Sequence, residues 1–540
     1  MLMQNRLLLI RYTAELYIRI RAAITLCRAV LICLFLFSAN SYASTLVQRS
    51  IGDASRINPI FATDSASGEI SGWVFNGLLK YNANLKLTGD LAKKYLVSKD
   101  GRTVTFILRK GIKWQDGIEF TSADPLFTYR ALRNPKVATP YSTDFMLIDK
   151  AEAIGKYIFR VHYKTVFVPA LASWTMGILP YHLLKGHNLA TDRFNRHPIG
   201  TGPYKLTKWK SGQSILLTKN SSYFRGAPHI DHLLYKIIPD SATAFLQLET
   251  GKIDAMGLSP IQLKRQITKK IKKNYKIYIN PSFGYTYLGL NLRRKLFQNK
   301  KVRKALDYAI NKKQIIDTIL FGEGTVANGI YPPTSWVYDS SVKASKYNLP
   351  KAERLLKETG YVYKDGKLIK DGKQFSFTVV TNQGNNERKY AALLIQSDLK
   401  KIGIKMNIRI LEWQAFLNLV NSRNFDAVLL GWQLSPDPDQ FSIWDSSQNK
   451  PGGFNFVGYH NKTVDRLLER GRKTMNRKQR KIIYQKINKI IFNDKPYLFL
   501  YSPYSIVVIQ KRFKGIKKEK AGIFYHLVDW YVPKRLEIYP

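Results

Sequence analysis

Residues 375–432 read FSFTVVTNQGNNERKYAALLIQSDLKKIGIKMNIRILEWQAFLNLVNSRNFDAVLLGW. Apolar runs of strand length alternate here with longer segments whose apolar residues recur at helical spacing. Ala391, Ile395 and Leu399 fall on one stripe of such a segment, and Gly403 ends the helix. The pattern predicts a strand-helix-strand-helix-strand unit made of segments 375–381, 386–401, 404–410, 413–421 and 426–431.

Strands that alternate with helices favour an α/β fold with a parallel sheet covered on both faces. In such sheets a ligand binds in the crevice beyond the carboxyl ends of the strands. Segment 426–431 leads directly into Trp432 and an extended loop with two prolines and two carboxylates, Asp437 and Asp439. The loop is therefore a candidate rim of a binding site. Capping of the next helix is the alternative role of each carboxylate.

The whole chain has 540 residues, of which 45% are hydrophobic and 13% aromatic. A single core rarely serves more than about 250–300 residues, so we expect two or three domains. This composition is typical of a globular protein and not of a disordered chain. Segment 102–109 alternates like a half-buried strand, and Asp116-Gly117 predicts a turn shortly after it.

The N-terminus has the layout of an export signal. A basic leader precedes the apolar run 29–37, and Ser41-Tyr42-Ala43 fits the small-x-small cleavage pattern. The run is too short for a membrane span, which requires about 20 apolar residues. We therefore interpret 1–43 as a signal peptide cleaved after Ala43, and expect a periplasmic protein. An uncleaved N-terminal anchor is the alternative.

The two cysteines, Cys27 and Cys33, both lie in this leader. The mature chain would therefore have no disulfide, no thiolate metal site and no cysteine nucleophile. Ile32 stands before Cys33, where a lipid-attachment sequence has a small residue, so we do not expect a lipoprotein.

The chain is strongly basic, with 86 Lys and Arg against 38 Asp and Glu and a net charge of +48. Such a charge attracts anionic ligands, membranes or nucleic acid. The basic residues are spread along the whole chain, which indicates a solvated lysine-rich surface. A nucleic-acid role is disfavoured because the chain is predicted to be exported.

A set of short segments occurs in a characteristic order: LRKGIKWQDG (108–117), PIGTGPY (198–204), IPDSAT (238–243), GLN (289–291), VRKALDYAIN (302–311), GW (431–432) and PDPD (436–439). In these segments the chain resembles the family 5 extracellular solute-binding proteins, the oligopeptide and dipeptide receptors of ABC importers. The resemblance runs from about residue 46 to the end of the chain.

The resemblance implies a two-lobed α/β clamp, type II-like among periplasmic binding proteins, with an extra subdomain inserted in the first lobe. The implied first lobe comprises 44–80, 198–285 and 501–540, the inserted subdomain 81–197, and the second lobe 286–500. Two chain crossings would form the hinge. The implied partners are a peptide-like ligand and an inner-membrane ABC permease with its ATPase, and we expect a monomer.

The resemblance also implies a site. In peptide receptors of this family, the backbone around the Gly-Trp pair binds the peptide main chain like an added strand. The positions matched here are Gly431, Trp432 and Gln433. The loop that begins at Phe61 would face them through Ala62, Thr63 and Asp64. Weaker candidates are Tyr285, Asn291, Trp444 and Asn455.

One position departs from the family pattern. Studied peptide receptors carry an Asp two residues after the Gly-Trp pair, and it holds the ligand's α-ammonium. Leu434 stands here, and an enclosed ammonium without a partner is costly. Either Asp437, Asp439 or Asp64 replaces that carboxylate, or the ligand has no free amine. Metal chelates, sugars, haem and opines are the other ligands to consider.

A secreted hydrolase is the distant alternative. Gly200-Thr201-Gly202 lacks the Gly-Lys of a phosphate loop. His182 and His187 are five residues apart and not four, and no Gly-x-Ser-x-Gly elbow occurs. We therefore expect a binding protein without a cofactor or a metal site, and not an enzyme.

Overall fold

The structure, a computed structural model, describes residues 44–537. The predicted signal peptide, 1–43, lies outside the described residues. The chain divides into two compact units, Thr45–Pro533 and a small unit of 1–44 with 534–540. The described part of the small unit is Ser44 and 534–537, which includes a 3-10 turn, Lys534–Leu536. The sheets, the α-helices and the cavities described below belong to the unit Thr45–Pro533.

The strands, in chain order, are β1 (Thr45–Ser50), β2 (Leu79–Tyr81), β3 (Leu87–Gly89), β4 (Ala92–Val97), β5 (Thr103–Leu108), β6 (Ile148–Ile154), β7 (Ile158–Tyr163), β8 (Tyr204–Lys210), β9 (Ser214–Lys219), β10 (His232–Ile237), β11 (Ala255–Gly257), β12 (Tyr275–Pro281), β13 (Gly284–Leu290), β14 (Gly324–Val326), β15 (Val362–Lys364), β16 (Lys367–Lys370), β17 (Lys373–Gln374), β18 (Ser376–Asn382), β19 (Lys405–Leu411), β20 (Ala427–Gln433) and β21 (Tyr497–Gln510).

The α-helices are α1 (Ser65–Val74), α2 (Ala123–Arg133), α3 (Ser142–Phe145), α4 (Ala170–Ser173), α5 (Tyr181–Leu184), α6 (Ser241–Glu249), α7 (Pro260–Arg265), α8 (Lys269–Asn274), α9 (Lys295–Gln298), α10 (Lys300–Ala309), α11 (Lys312–Gln314), α12 (Leu349–Lys357), α13 (Asn386–Lys400), α14 (Trp413–Asn421), α15 (Phe441–Trp444), α16 (Lys462–Lys473) and α17 (Arg477–Asp494). A π-helical turn follows α11, and further 3-10 turns lie at Arg193–Asn195, Ser446–Gln448 and Ile523–Asp529.

One large sheet organises the fold as a two-lobed α/β clamp. Its strand order is β19-β18-β20-β13-β21-β11-β1-β10-β9-β8, and β12 and β14 also pair with β21. The long strand β21 joins two halves of the clamp, one with β13, β18, β19 and β20 and the other with β1 and β8 to β12. Its first part pairs with β13, and its last part pairs with β11 and β12. The chain crosses between the halves a second time in the short step from β12 to β13.

The predicted strand-helix-strand-helix-strand unit is confirmed. It corresponds to β18, α13, β19, α14 and β20, and β18 pairs in parallel with both β19 and β20. The Asn385 side chain caps the start of α13 by accepting from the Arg388 N–H. Gly403 follows the helix with a φ of +74°, a left-handed conformation that favours glycine.

Both faces of the central strand β20 are buried, as predicted, whereas the edge strand β19 exposes Lys405, Asn407 and Arg409. Along β20, Ala427 and Leu429 pack into one apolar cluster, whereas Val428 and Leu430 pack into a second cluster on the opposite face. The sheet is not purely parallel, however. β13 runs antiparallel between β20 and β21, which closes the crevice on one side of β20.

Three smaller sheets accompany the large one. Strands β4, β5, β7 and β6 form an antiparallel sheet within the segment 81–197 that the resemblance implies as an insertion. The predicted strand at 102–109 is β5, whose residues alternate between buried and half-buried. The other two are the pair β2-β3 and the three-stranded sheet β15-β16-β17.

Candidate functional site

Two adjoining cavities lie between the halves of the clamp. The larger has a volume of about 730 Å³ and the smaller about 420 Å³. Their walls share Ala62, Gly68, Tyr141, Ser435, Asp437, Asp439 and Ser442, so the two are continuous. Both chain crossings reach the larger cavity, through Ser282 and Phe283 and through Pro503. The larger cavity lies at the carboxyl end of β20, where Gly431, Trp432 and Gln433 line it. The sequence predicts a ligand crevice at this end of the strand.

The end of β20 offers a free backbone edge to the larger cavity. β20 pairs with β13 along its whole length, but with β18 only at Ala427 and Val428. The Leu434 N–H points toward β13, where it donates to the Phe283 carbonyl at 2.9 Å. Because backbone groups alternate in direction, Gly431 and Gln433 point theirs to the opposite side, where no strand of the described chain pairs with them.

Trp432 forms an aromatic wall of the cavity together with two phenylalanines. Its ring stacks on Phe456 with centroids 5.8 Å apart and lies edge-on to Phe454 at 5.3 Å. Its indole N–H donates to the Tyr497 hydroxyl at 3.4 Å. The ring is therefore held in place before any ligand arrives.

The loop that precedes α1 faces this wall from the other half of the clamp. Ala62, Thr63 and Asp64 line the cavity, and the Tyr141 hydroxyl donates to the Ala62 carbonyl at 2.9 Å. Asp64 caps α1 by accepting from the Ser67 N–H at 3.0 Å. Its other oxygen accepts from the Ser55 and Ser67 hydroxyls, each at 2.5 Å. Asp64 thus already accepts three hydrogen bonds from its own half of the clamp.

Asp437 and Asp439 line both cavities, and each is paired with an arginine. Arg480 makes two hydrogen bonds to Asp437, both of 2.8 Å, in the fork geometry of a bidentate pair. Arg472 lies 3.0 Å from Asp439 and also contacts Asp144 of α3. Neither carboxylate projects into the cleft without a partner, which argues against the idea that one of them replaces the missing amine ligand.

The buried cluster of Asp144, Asp437, Asp439, Arg472 and Arg480 has three carboxylates and two guanidinium groups. Burial raises the pKa of Asp439 to about 6, and Asp144 and Asp437 act in the same direction, whereas Arg472 and Arg480 oppose the rise. The cluster also joins distant parts of the chain, because Asp144 belongs to segment 81–197 and Arg472 to α16.

Of the four weaker candidates from the sequence, one lines the larger cavity and three do not. Tyr285 lines the larger cavity, but its hydroxyl is buried without a hydrogen-bond partner in the described structure. Asn291, Trp444 and Asn455 are instead buried away from it. The Asn455 amide is satisfied within its own loop: it donates to the carbonyls of Asp445 and Tyr459 and accepts from the Tyr459 N–H. The neighbours of Asn455, Phe454 and Phe456, are the residues that line the cavity.

The sequence did not reveal Arg388, a cation in the wall of the larger cavity. One of its guanidinium nitrogens donates to Asn382 at 2.8 Å, and its Nε is buried without a partner in the described structure. Another nitrogen lies 3.2 Å from the point that a Cβ on Gly431 would occupy. Burial lowers the pKa of Arg388, and the nearby Tyr501, Tyr287 and Glu387 only partly oppose this shift. Arg388 lies in the first turn of α13, just beyond the carboxyl end of β18, and this position is the sequence feature that could have indicated it as a site residue.

Within residues 44–537, no cluster of His, Cys, Asp and Glu could hold a metal ion. No described helix is both long and apolar enough to cross a membrane.

Residues 86–453 match the family described as "Bacterial extracellular solute-binding proteins, family 5 Middle". The oligopeptide-binding protein AppA from Bacillus subtilis is 36% identical over 501 residues, which cover 91% of this chain and 92% of AppA. The structure of that AppA with a nonapeptide superposes with a TM-score of 0.87 and covers 91% of this chain and 99% of AppA.

Two other solved structures share this likeness. NikZ from Campylobacter jejuni, in complex with Ni(L-His), is 32% identical, has a TM-score of 0.83, and covers 90% of this chain and 99% of its own. DppA from Helicobacter pylori, in complex with the peptide STSA, is 27% identical with a TM-score of 0.83 and covers 92% and 99%.

Proposed function

The chain belongs to the bacterial extracellular solute-binding proteins of family 5, and on that premise we propose that it captures peptide-like solutes for an ABC importer. The captured solute would lie between the two halves of the clamp. An inner-membrane permease with its ATPase would receive it, and the mature protein would act in the periplasm as a monomer after cleavage at Ala43.

The unpaired backbone edge of β20 is the main observation that supports a peptide ligand. Gly431 and Gln433 each direct an N–H and a C=O toward the larger cavity, and an extended peptide satisfies such groups by adding a strand. Main-chain pairing binds peptides of many sequences. The aromatic wall of Trp432, Phe454 and Phe456 offers apolar contact to side chains without demanding one particular residue.

Arg388 supports a ligand with a carboxylate. A buried guanidinium with unused donors stabilises an anion that comes within hydrogen-bond distance. In a peptide laid along β20, the terminal carboxylate is the group that would supply this charge. The AppA and DppA structures, both solved with peptides, favour this ligand class.

An amino-acid chelate of a metal is the second candidate, because the NikZ structure holds Ni(L-His). Such a ligand also presents a carboxylate to an arginine. In the described residues the cleft supplies no metal-binding cluster of its own, so the chelating amino acid would have to provide the coordination.

The test is mass spectrometry of the solute that copurifies with the protein exported from its native host or a peptide-rich medium. We expect a mixture of peptides, released with unchanged masses after denaturation. A single non-peptide solute would contradict the proposal. Cleavage of added peptides during incubation would instead support the hydrolase alternative.

We expect Trp432→Ala to weaken peptide binding at least tenfold, roughly 1.4 kcal/mol. The substitution removes the ring that stacks on Phe456 and faces the bound backbone. Isothermal titration calorimetry measures the effect, and Trp209→Ala is the control because Trp209 lies on β8 and lines neither cavity. An unchanged affinity in the Trp432 variant would remove this ring from the site.

N-terminal acetylation of a peptide should change its affinity by less than about tenfold, because the cleft offers the amine no carboxylate that lacks a partner. Leu434 occupies the position of the family's amine-binding carboxylate, and Asp64, Asp437 and Asp439 are already engaged. Calorimetry on a peptide and its acetylated twin measures this difference. A much larger preference for the free amine would show that one of the engaged carboxylates does bind it, and Asp437→Asn and Asp439→Asn would identify which.

A further inference from the structure

The basic residues are less evenly distributed on the folded surface than along the sequence. Segment 263–276 and segment 511–518 contain no acidic residue. The fold places them side by side: the Lys511 N–H donates to the Asn274 carbonyl at 2.8 Å, and the Lys511 ammonium donates to the Lys272 carbonyl at 2.7 Å. The result is a lysine face, which we define as Lys269, Lys270, Lys272, Lys273, Lys276, Lys511 and Lys514.

All seven lysines of this face are exposed. The ion pairs closest to them in the chain, Lys264 with Glu323 and Arg512 with Asp254, involve other cations. Within residues 44–537, none of the seven forms an ion pair. The apolar side of α8 is covered, since Ile271 is buried, so the helix turns its charged side chains outward.

The lysine face lies far from the solute-binding cleft. Strand β12 begins beside the lysine face at Tyr275, and the chain reaches the cavity wall at Ser282, seven residues further on. At about 3.4 Å per residue this is roughly 24 Å. β21 spans the same interval in the opposite direction, from Pro503 at the cavity to Gln510. A partner could therefore cover the lysine face without blocking the cleft.

We propose that the lysine face docks the protein onto an anionic phospholipid surface. The seven lysines are exposed, are spread over two chain segments and form no ion pair within the described residues, which suits a field of dispersed lipid headgroups better than one shaped anionic ligand. Lysines close to an anionic bilayer each add to the attraction, and salt weakens it within a Debye length. Docking of this kind holds the protein near the membrane and leaves the cleft open.

The test is cosedimentation with vesicles of phosphatidylcholine, with and without phosphatidylglycerol, at low and high ionic strength. We expect binding that requires phosphatidylglycerol and is lost at high salt. In the test variant, Lys269, Lys270, Lys272 and Lys273 are replaced together by Gln, a residue with similar helix propensity. Vesicle affinity should then fall by at least about tenfold.

A matched control separates the lysine face from the overall charge. Replacing four exposed lysines of the other half of the clamp, Lys473, Lys478, Lys481 and Lys486, by Gln changes the net charge equally. We expect this control to retain most of its vesicle affinity and both variants to keep circular dichroism and solute binding unchanged. Equal loss in the two variants, no requirement for phosphatidylglycerol, or binding to polyglutamate but not to vesicles would each overturn the proposal.

Discussion

Arg388→Ala should weaken the binding of peptides with a free terminal carboxylate by roughly 30- to 150-fold, about 2–3 kcal/mol. The guanidinium lines the larger cavity beside Gly431, and its Nε has no partner in the described structure. A carboxylate that binds there gains charge-assisted hydrogen bonds and offsets a buried cation. Removing the cation loses both contributions at once.

Peptides with an amidated C-terminus provide the internal control. Amidation should cost the wild-type protein most of this affinity and should cost the Arg388→Ala variant little, because the variant has no cation to lose. Arg388→Lys keeps the charge but not the planar fork, so an intermediate affinity is expected. Arg409→Ala removes an exposed arginine of β19 as a matched control. Equal losses for the free and the amidated peptide would show that Arg388 supports the fold and does not bind a carboxylate.

Arg472→Ala should lower the free energy of unfolding by about 3–5 kcal/mol, because it leaves a buried carboxylate without its cation. The Arg472 side chain is 5% exposed and the Asp439 side chain 10%. The same guanidinium lies over the rings of Phe167 and Phe441, so packing is lost as well. Chemical denaturation measures the change, and Arg470→Ala, an exposed residue of the same helix, serves as the control.

The pH dependence distinguishes lost charge pairing from lost packing. Asp439 already has a pKa of about 6, above that of an unfolded chain. Protons then bind the folded form more tightly, so this group adds stability as the pH falls through its folded pKa. Without Arg472 the pKa rises further, so lowering the pH from about 7 to about 5 should restore part of the loss.

Adding Asp439→Asn to Arg472→Ala should likewise recover stability, since it removes the unpaired charge. A loss that neither acid nor the second substitution reduces would attribute the effect to packing alone. Binding measurements on Asp144→Asn would then test the link across the clamp, because Asp144 meets Arg472 from segment 81–197.

Local periodicity sufficed for the elements around β20. The predicted strands and helices between 375 and 431 agree with β18, α13, β19, α14 and β20 to within a few residues at each end. Alternation and helical spacing depend on a residue's immediate neighbours, and these are given by the sequence. The same reasoning located the crevice, because a ligand site beyond the carboxyl ends of strands follows from the order of the elements. The short segments that carry the family resemblance predicted the clamp.

Tertiary structure alone decided the chemistry inside the crevice. The sequence shows two carboxylates, Asp437 and Asp439, on a rim, but the arginines that pair with them come from α16 and α17. Arg472 meets Asp144 across 328 positions of the chain. Asn455 resembled a ligand contact, yet its amide is satisfied within its loop, and Arg388 was one basic residue among 86 until the fold placed it beside Gly431. The physical reason is that a charge takes its partner from whatever packing brings within a few ångströms, and no local pattern records that distance.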